Sequence, residues 1–312
     1  MRTYTGLDVF SHFDGRYPWS SHLIDHGGIS QAYVDEGPRS SELTFVCLHG
    51  NPSWSFLYRE FIQRLSVSYR VIAVDHVGFG RSDKPRDPGY YTIARHVDNL
   101  SELLECARVS NAILILHDWG GPIGMGWATQ HPEQVAGVVV LNTTAFADLP
   151  VPKLPFPFRV LGAQRAVDNN LLVEWFLGRL GTSRRMGKQD MDPYRAPFPT
   201  PADRTGMARM PNIYQSTFLR RRDPSGEPWP WSGARETTLE LSRLREKPAL
   251  ICWARRDRAF EQRHLARWCA MFEDFDSPHL LEHARHFLQE DAASPILDHV
   301  ERWTRSHILR AI

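Results

Sequence analysis

Three residues in this chain combine types that could do chemistry with places where chemistry is done. Asp118 ends the apolar run "AILIL" and opens the turn "HDWGG". Asp257 follows the run "ALICWA", and His286 follows "PHLLEHAR". Each apolar run reads as a strand, so all three lie at or beyond carboxyl ends of strands, where open α/β sheets bind ligands. An ionised carboxylate at Asp118 can attack a saturated carbon that bears a leaving group, giving an ester. Unlike the ether a serine would form, that ester can be hydrolysed. His286, oriented by Asp257, could take the proton from the attacking water.

The elements that must position these residues alternate along the first half. "HLIDHGGISQAYVDEG" reads as a hairpin turning at Gly27-Gly28. "LTFVCLHG" is a short strand, "FLYREFIQRLS" has helical spacing, and "YRVIAVDHVGFGRSD" is a strand running into a Gly-rich loop. "ARHVDNLSELLECARV" is an amphipathic helix, and "VAGVVVLNTTAF" is a further strand. This alternation predicts an α/β fold: a mostly parallel central sheet flanked by helices. Between Asp148 and Arg222 no apolar strand is found, and prolines crowd "LPVPKLPFPF" and "APFPTPADRTGMARMPN". The expected organisation is a core of residues 1–147 and 236–312 interrupted by a helical cap, 148–235.

Composition narrows the classes. The 312 residues are 42% hydrophobic, enough for a sizeable core. Lys and Arg number 37 against 36 Asp and Glu, with no long basic run, so neither nucleic acid nor a membrane surface is an expected partner. Apolar runs are strand-sized, and the opening "MRTYTGLDVFSHFDG" has no secretory pattern. Cys47, Cys106, Cys252 and Cys269 show no CxxC spacing, which fits reduced thiols in a cytoplasmic protein.

Four stretches together make the chain resemble the haloalkane dehalogenase family of α/β-hydrolases: "HGNPSWSFLYR" (49–59), "DHVGFGRSDKP" (75–85), "HDWGG" (117–121) and "HFLQED" (286–291). The order nucleophile, acid, histidine matches the α/β-hydrolase triad, with aspartate in place of serine. Leu116 replaces the glycine usual two places before the nucleophile. The resemblance implies an Asp118-His286-Asp257 triad. It also implies a halide clamp from the side chains of Asn51 and Trp119, whose backbone N–H groups would form an oxyanion hole. Some members take a second tryptophan from the cap, and Trp175 is the candidate here. Others place the acid after the strand before the cap, where this chain has Asn142; Asp148 is a weak alternative acid.

The implied reaction is hydrolytic dehalogenation of a small hydrophobic haloalkane to alcohol, halide and proton. Water is the cosubstrate, and no metal or organic cofactor is expected. The oligomeric state is not legible. Three rivals share parts of the pattern. Beta-lactone decarboxylases of long-chain olefin synthesis look similar around "LNTTAFADLPVPKLPFPF". An epoxide hydrolase would normally show an aromatic after His-Gly and paired cap tyrosines; Tyr194 and Tyr214 are the tyrosines to consider. A non-catalytic protein of this fold would usually have lost a triad residue. Plainer structural readings also exist: Asp118 as a helix N-cap, Asp257 as an ion-pair partner of Arg255, Arg256 or Arg258, and Asn51 as turn chemistry before Pro52.

Overall fold

The computed structural model describes residues 2–4, 13–149, 163–209 and 234–309. Nine strands form one sheet: β1 (Arg2–Tyr4), β2 (Ser21–Asp25), β3 (Ser30–Glu36), β4 (Thr44–Leu48), β5 (Arg70–Val74), β6 (Ala112–Asp118), β7 (Val135–Thr143), β8 (Ala249–Ala254) and β9 (His279–Leu281). Their spatial order is β1-β2-β3-β5-β4-β6-β7-β8-β9. The first three are antiparallel and everything from β5 to β9 is parallel. "TFVCL", "RVIAV", "AILILHD" and "ALICWA" are buried at every position. Continuous apolar runs of this kind belong to strands covered on both faces.

The helices that cover them are α1 (Arg59–Leu65), α2 (Ile93–Cys106), α3 (Gly120–Gln130), α4 (Ala163–Asp168), α5 (Lys188–Arg195), α6 (Ala234–Glu240), α7 (Gln262–Met271) and α8 (Leu288–Trp303). Thr92 caps α2 by accepting the Arg95 N–H at 3.1 Å. The buried stripe Ile93, Val97, Leu100, Leu104 turns α2 inward, where it packs on α3, while α1 packs on α8. Between β7 and β8 the described residues hold helices and turns but no strand, and Leu172–Leu180 is π-helical. The hairpin turns at Gly27 and Gly28, both in the left-handed region. β1 lies in a stretch not read as a strand.

Two local features shape the functional end of the sheet. Leu116 stands where a glycine was expected, and Gly124 in α3 supplies the missing space: a Cβ there would meet Leu116 Cδ2 at 2.4 Å. The pairing of β6 with β7 also slips by one residue, from His117↔Leu141 to Asp118↔Thr143, leaving Asn142 as a bulge with φ +36°. The four cysteines are free thiols, with Cys47 and Cys252 buried in β4 and β8. No helix among the described residues is long and apolar enough to cross a membrane.

Candidate active site

Asp118 is the last residue of β6 and has φ +48°, a sharp corner that a following helix continues at once. The corner lifts its carboxylate toward the loop after β4. There the Asn51 backbone N–H donates to Asp118 Oδ1 at 2.7 Å. Gly50 makes this approach possible, because a Cβ at residue 50 would sit 2.1 Å from the same oxygen. His49 holds the loop: its Nδ1 donates to the Gly50 carbonyl at 2.8 Å and its Nε2 accepts the His76 N–H at 3.1 Å.

His286 arrives from the loop after β9. Its Nε2 stands 3.5 Å from Asp118 Oδ2, and its Nδ1 donates to Asp257 Oδ2 at 3.0 Å. The structure therefore brings together the three residues singled out by type and position. Asp257 is not paired with its neighbouring arginines. Its Oδ1 accepts the Ala259 N–H at 2.6 Å and its Oδ2 also accepts from Asn142 Nδ2 at 2.9 Å. Asn142 is pinned in turn: its Oδ1 accepts the Ala254 N–H at 2.7 Å and its Nδ2 reaches the Ala254 carbonyl at 3.3 Å. The bulge turns Asn142 sideways onto the neighbouring strand end.

Electrostatics follow from this burial. Desolvation opposes a charge on His286, but the Asp257 and Asp118 carboxylates outweigh it and push the imidazole up to about 10. Burial would raise Asp118, yet the adjacent His286 and the Asn51 N–H prevail and hold it below its ordinary value. Each group therefore favours the charged form of the other. His117, against the His286 ring and bonded through Nε2 to the His286 carbonyl at 2.9 Å, is driven by burial to about 3 and stays neutral.

The remaining residues divide. Trp119 is buried directly after Asp118. The Asn51 side chain points its Nδ2 at the Met207 carbonyl, 3.0 Å away in the segment between β7 and β8, and its Oδ1 is buried without a protein partner. Trp175 is 41% exposed and lies under the Arg179 guanidinium at 5.2 Å. Its neighbour Phe176 instead packs on the His286 ring at 5.1 Å, with Phe260 stacked at 5.7 Å. A π-helical stretch shifts which residue faces inward, so helical spacing alone could not single out Phe176. Asp148 is exposed and faces Arg267 at 3.4 Å, far from acting as the acid. Tyr194 donates to Glu290, and Tyr214 and Arg220–Arg222 lie outside the described residues. No cluster of His, Cys, Asp or Glu among the described residues could hold a metal ion.

The mostly parallel sheet and the carboxylate raised on its strand-to-helix corner define the class: this chain belongs to the α/β-hydrolase fold family, whose model matches residues 44–293. Its relatives within that fold include enzymes of two named activities. It is 32% identical over 303 residues to a cis-3-alkyl-4-alkyloxetan-2-one decarboxylase of Shewanella oneidensis, covering 93% of this chain and 90% of the relative. To the enzyme of that name from Xanthomonas campestris it is 38% identical over 256 residues, 77% of this chain and 80% of the relative. To haloalkane dehalogenase 2 of Mycobacterium tuberculosis it is 34% identical over 286 residues, 90% and 93%.

Proposed function

We propose that Asp118 is a carboxylate nucleophile, that His286 and Asp257 are its charge partners, and that the substrate is a hydrophobic β-lactone opened at a saturated carbon. One observation carries the nucleophile assignment: the Asp118 carboxylate is fixed by the Asn51 N–H at 2.7 Å and faces the His286 imidazole at 3.5 Å. In the first step the Asp118 carboxylate bonds to ring carbon 4 as the C4–O bond breaks, and those electrons leave on the freed carboxylate. In the second, the bond from carbon 3 to that carboxylate breaks. Carbon dioxide departs, the electrons form the C3=C4 double bond, and Asp118 is expelled unchanged. Lactone becomes alkene plus carbon dioxide, with no water consumed and no base needed. The raised proton affinity of His286 suits that sequence, because a protonated ring balances carboxylate charge on either side of each step. The two decarboxylase relatives, one at 38% identity, support the same choice of leaving group.

The second reading is hydrolytic dehalogenation, favoured by Trp119 beside the nucleophile and by the dehalogenase relative at 34% identity. Here a base is required after Asp118 is alkylated. Esterification removes the Asp118 charge, which lowers the His286 affinity for its proton and frees it to activate water. The Asn51 amide would also have to reach the halide, whereas one of its N–H bonds is given to Met207. In both readings we take 148–235 as the cap over the site.

The test is a side-by-side assay. Protein is incubated with a cis-3,4-dialkyl β-lactone, and separately with 1-bromobutane and 1,2-dibromoethane, using Asp118→Ala as control. Alkene and carbon dioxide without bromide, lost in Asp118→Ala, is the expected result. Bromide without alkene transfers the function to dehalogenation, and neither product from folded protein overturns both.

A further inference from the structure

An open hollow of about 320 Å³ is lined by Arg255, Arg256, Asp257, Arg258 and Arg285. Asp257 adds no negative face to it. Its side chain has 0% exposure although the residue is only half-buried, so its main chain forms the floor. Both carboxylate oxygens turn inward, to His286, Asn142 and the Ala259 N–H. Four arginines thus line one hollow. Glu282 stands 3.5 Å from Arg255. Asp291 accepts the Arg285 backbone N–H, and the Arg285 side chain reaches the Arg179 carbonyl at 3.4 Å. Arg256, Arg258 and Arg285 have no carboxylate in ion-pair range among the described residues.

Arg243, Arg245, Arg263 and Arg267 are exposed and each pair with a carboxylate: Glu240, Glu273, Glu261 and Asp148. Around the hollow the arginines are instead gathered from two loops that the fold itself brings together, with Arg256 N–H bonded to the Ala284 carbonyl at 3.2 Å and Arg255 N–H to Leu281 at 3.1 Å. Gathered guanidinium groups repel one another unless an anion lies between them. Their planar forks match the oxygens of a phosphoryl group two at a time.

We propose that this hollow is a binding site for a phosphoryl oxyanion, with room for a diphosphate or phosphomonoester, separate from the Asp118 site. The experiment is calorimetric titration of the full chain with inorganic phosphate, pyrophosphate and citrate, each at ionic strength matched with sodium chloride. Saturable one-to-one binding of pyrophosphate, tighter than citrate, is expected. Arg256→Ala with Arg258→Ala weakens it at least tenfold, while Arg243→Ala leaves it unchanged. Asp118→Asn also leaves it unchanged, which separates this site from the proposed nucleophile. Absence of saturable binding, an equal loss in Arg243→Ala, or citrate binding as tightly as pyrophosphate overturns the proposal.

Discussion

Asn142 on β7 donates to Asp257 beyond β8 at 2.9 Å, so the residue that orients His286 is itself oriented from the adjacent strand. Asn142→Ala removes that bond and leaves the buried Ala254 N–H without its acceptor. A hydrogen bond to a charged group is worth about 1.5–3 kcal/mol, so turnover should fall about tenfold or more while KM changes little. Steady-state kinetics on whichever substrate is accepted gives the split. A rise in KM with turnover intact would mean that Asn142 shapes the pocket instead.

His286 owes its raised proton affinity to two carboxylates, and Asp118→Asn removes one of them. Its titration midpoint should drop from about 10 in the variant, followed by NMR of the ring protons. The sign for stability follows. A raised folded value contributes fully below the unfolded midpoint near ~6.5 and is lost as pH rises through about 10. The variant should lose this contribution at lower pH than the parent. An unchanged midpoint would show that Asp257 alone holds the charge.

The motif "HFLQED" does more than carry His286. Glu290, nearly buried, receives both the Arg59 guanidinium and the Tyr194 hydroxyl of α5. Asp291 accepts the Ser183 backbone N–H, and the Phe287 N–H bonds to the Gly181 carbonyl at 2.8 Å. Glu290→Ala leaves the part-buried Arg59 guanidinium with Glu60 at 3.9 Å as its only carboxylate among the described residues and should cost about 3 kcal/mol. Tyr194→Phe leaves the ion pair intact and should cost about 0.5–1.5 kcal/mol. Denaturant unfolding of both variants checks the order, and equal losses would place the stabilisation in the hydroxyl rather than the ion pair.

Acid should destabilise this protein through a buried file of rings. His49 and His76 lie with centroids 4.6 Å apart, and His76 and His96 at 5.7 Å. Burial lowers all three, against the pull of Asp75 on His49, and takes His96 to about 3. Depressed folded values mean stability that is present above ~6.5 and is lost as pH falls toward about 3. Each such histidine can contribute a slope of up to about 1.4 kcal/mol per pH unit. Unfolding free energy measured from pH 7 to 4 should fall, and His96→Phe should flatten the curve.

Much of this site was legible because strand ends are legible. Asp118, Asp257 and His286 each follow an apolar run, and their types suffice to suggest the chemistry. Asn142 was noted only as the occupant of an alternative acid position, since its hold on Asp257 depends on a slip between two strands that pattern does not record. The Asn51–Met207 bond joins residues 156 apart, and no local spacing encodes it. Trp175 was the natural candidate by residue type, but the π-helical winding puts Phe176 on His286 instead. The arginines beside Asp257 were considered as its ion-pair partners, and none of them pairs with it; with it they line an open hollow.

The extra residue at Asn142 has a consequence for how this protein can be edited. Side chains alternate along a strand, so one additional residue exchanges the two faces for everything after it. That exchange lets Thr143, rather than Asn142, bond the Asp118 carbonyl, and leaves Asn142 pointing along the sheet at Asp257. The geometry is thus stored in a count of residues as much as in their identity. Deleting residue 142 would restore a regular ladder and could even tidy the strand pairing, while removing the sideways contact altogether. For this strand, length is part of the active-site specification.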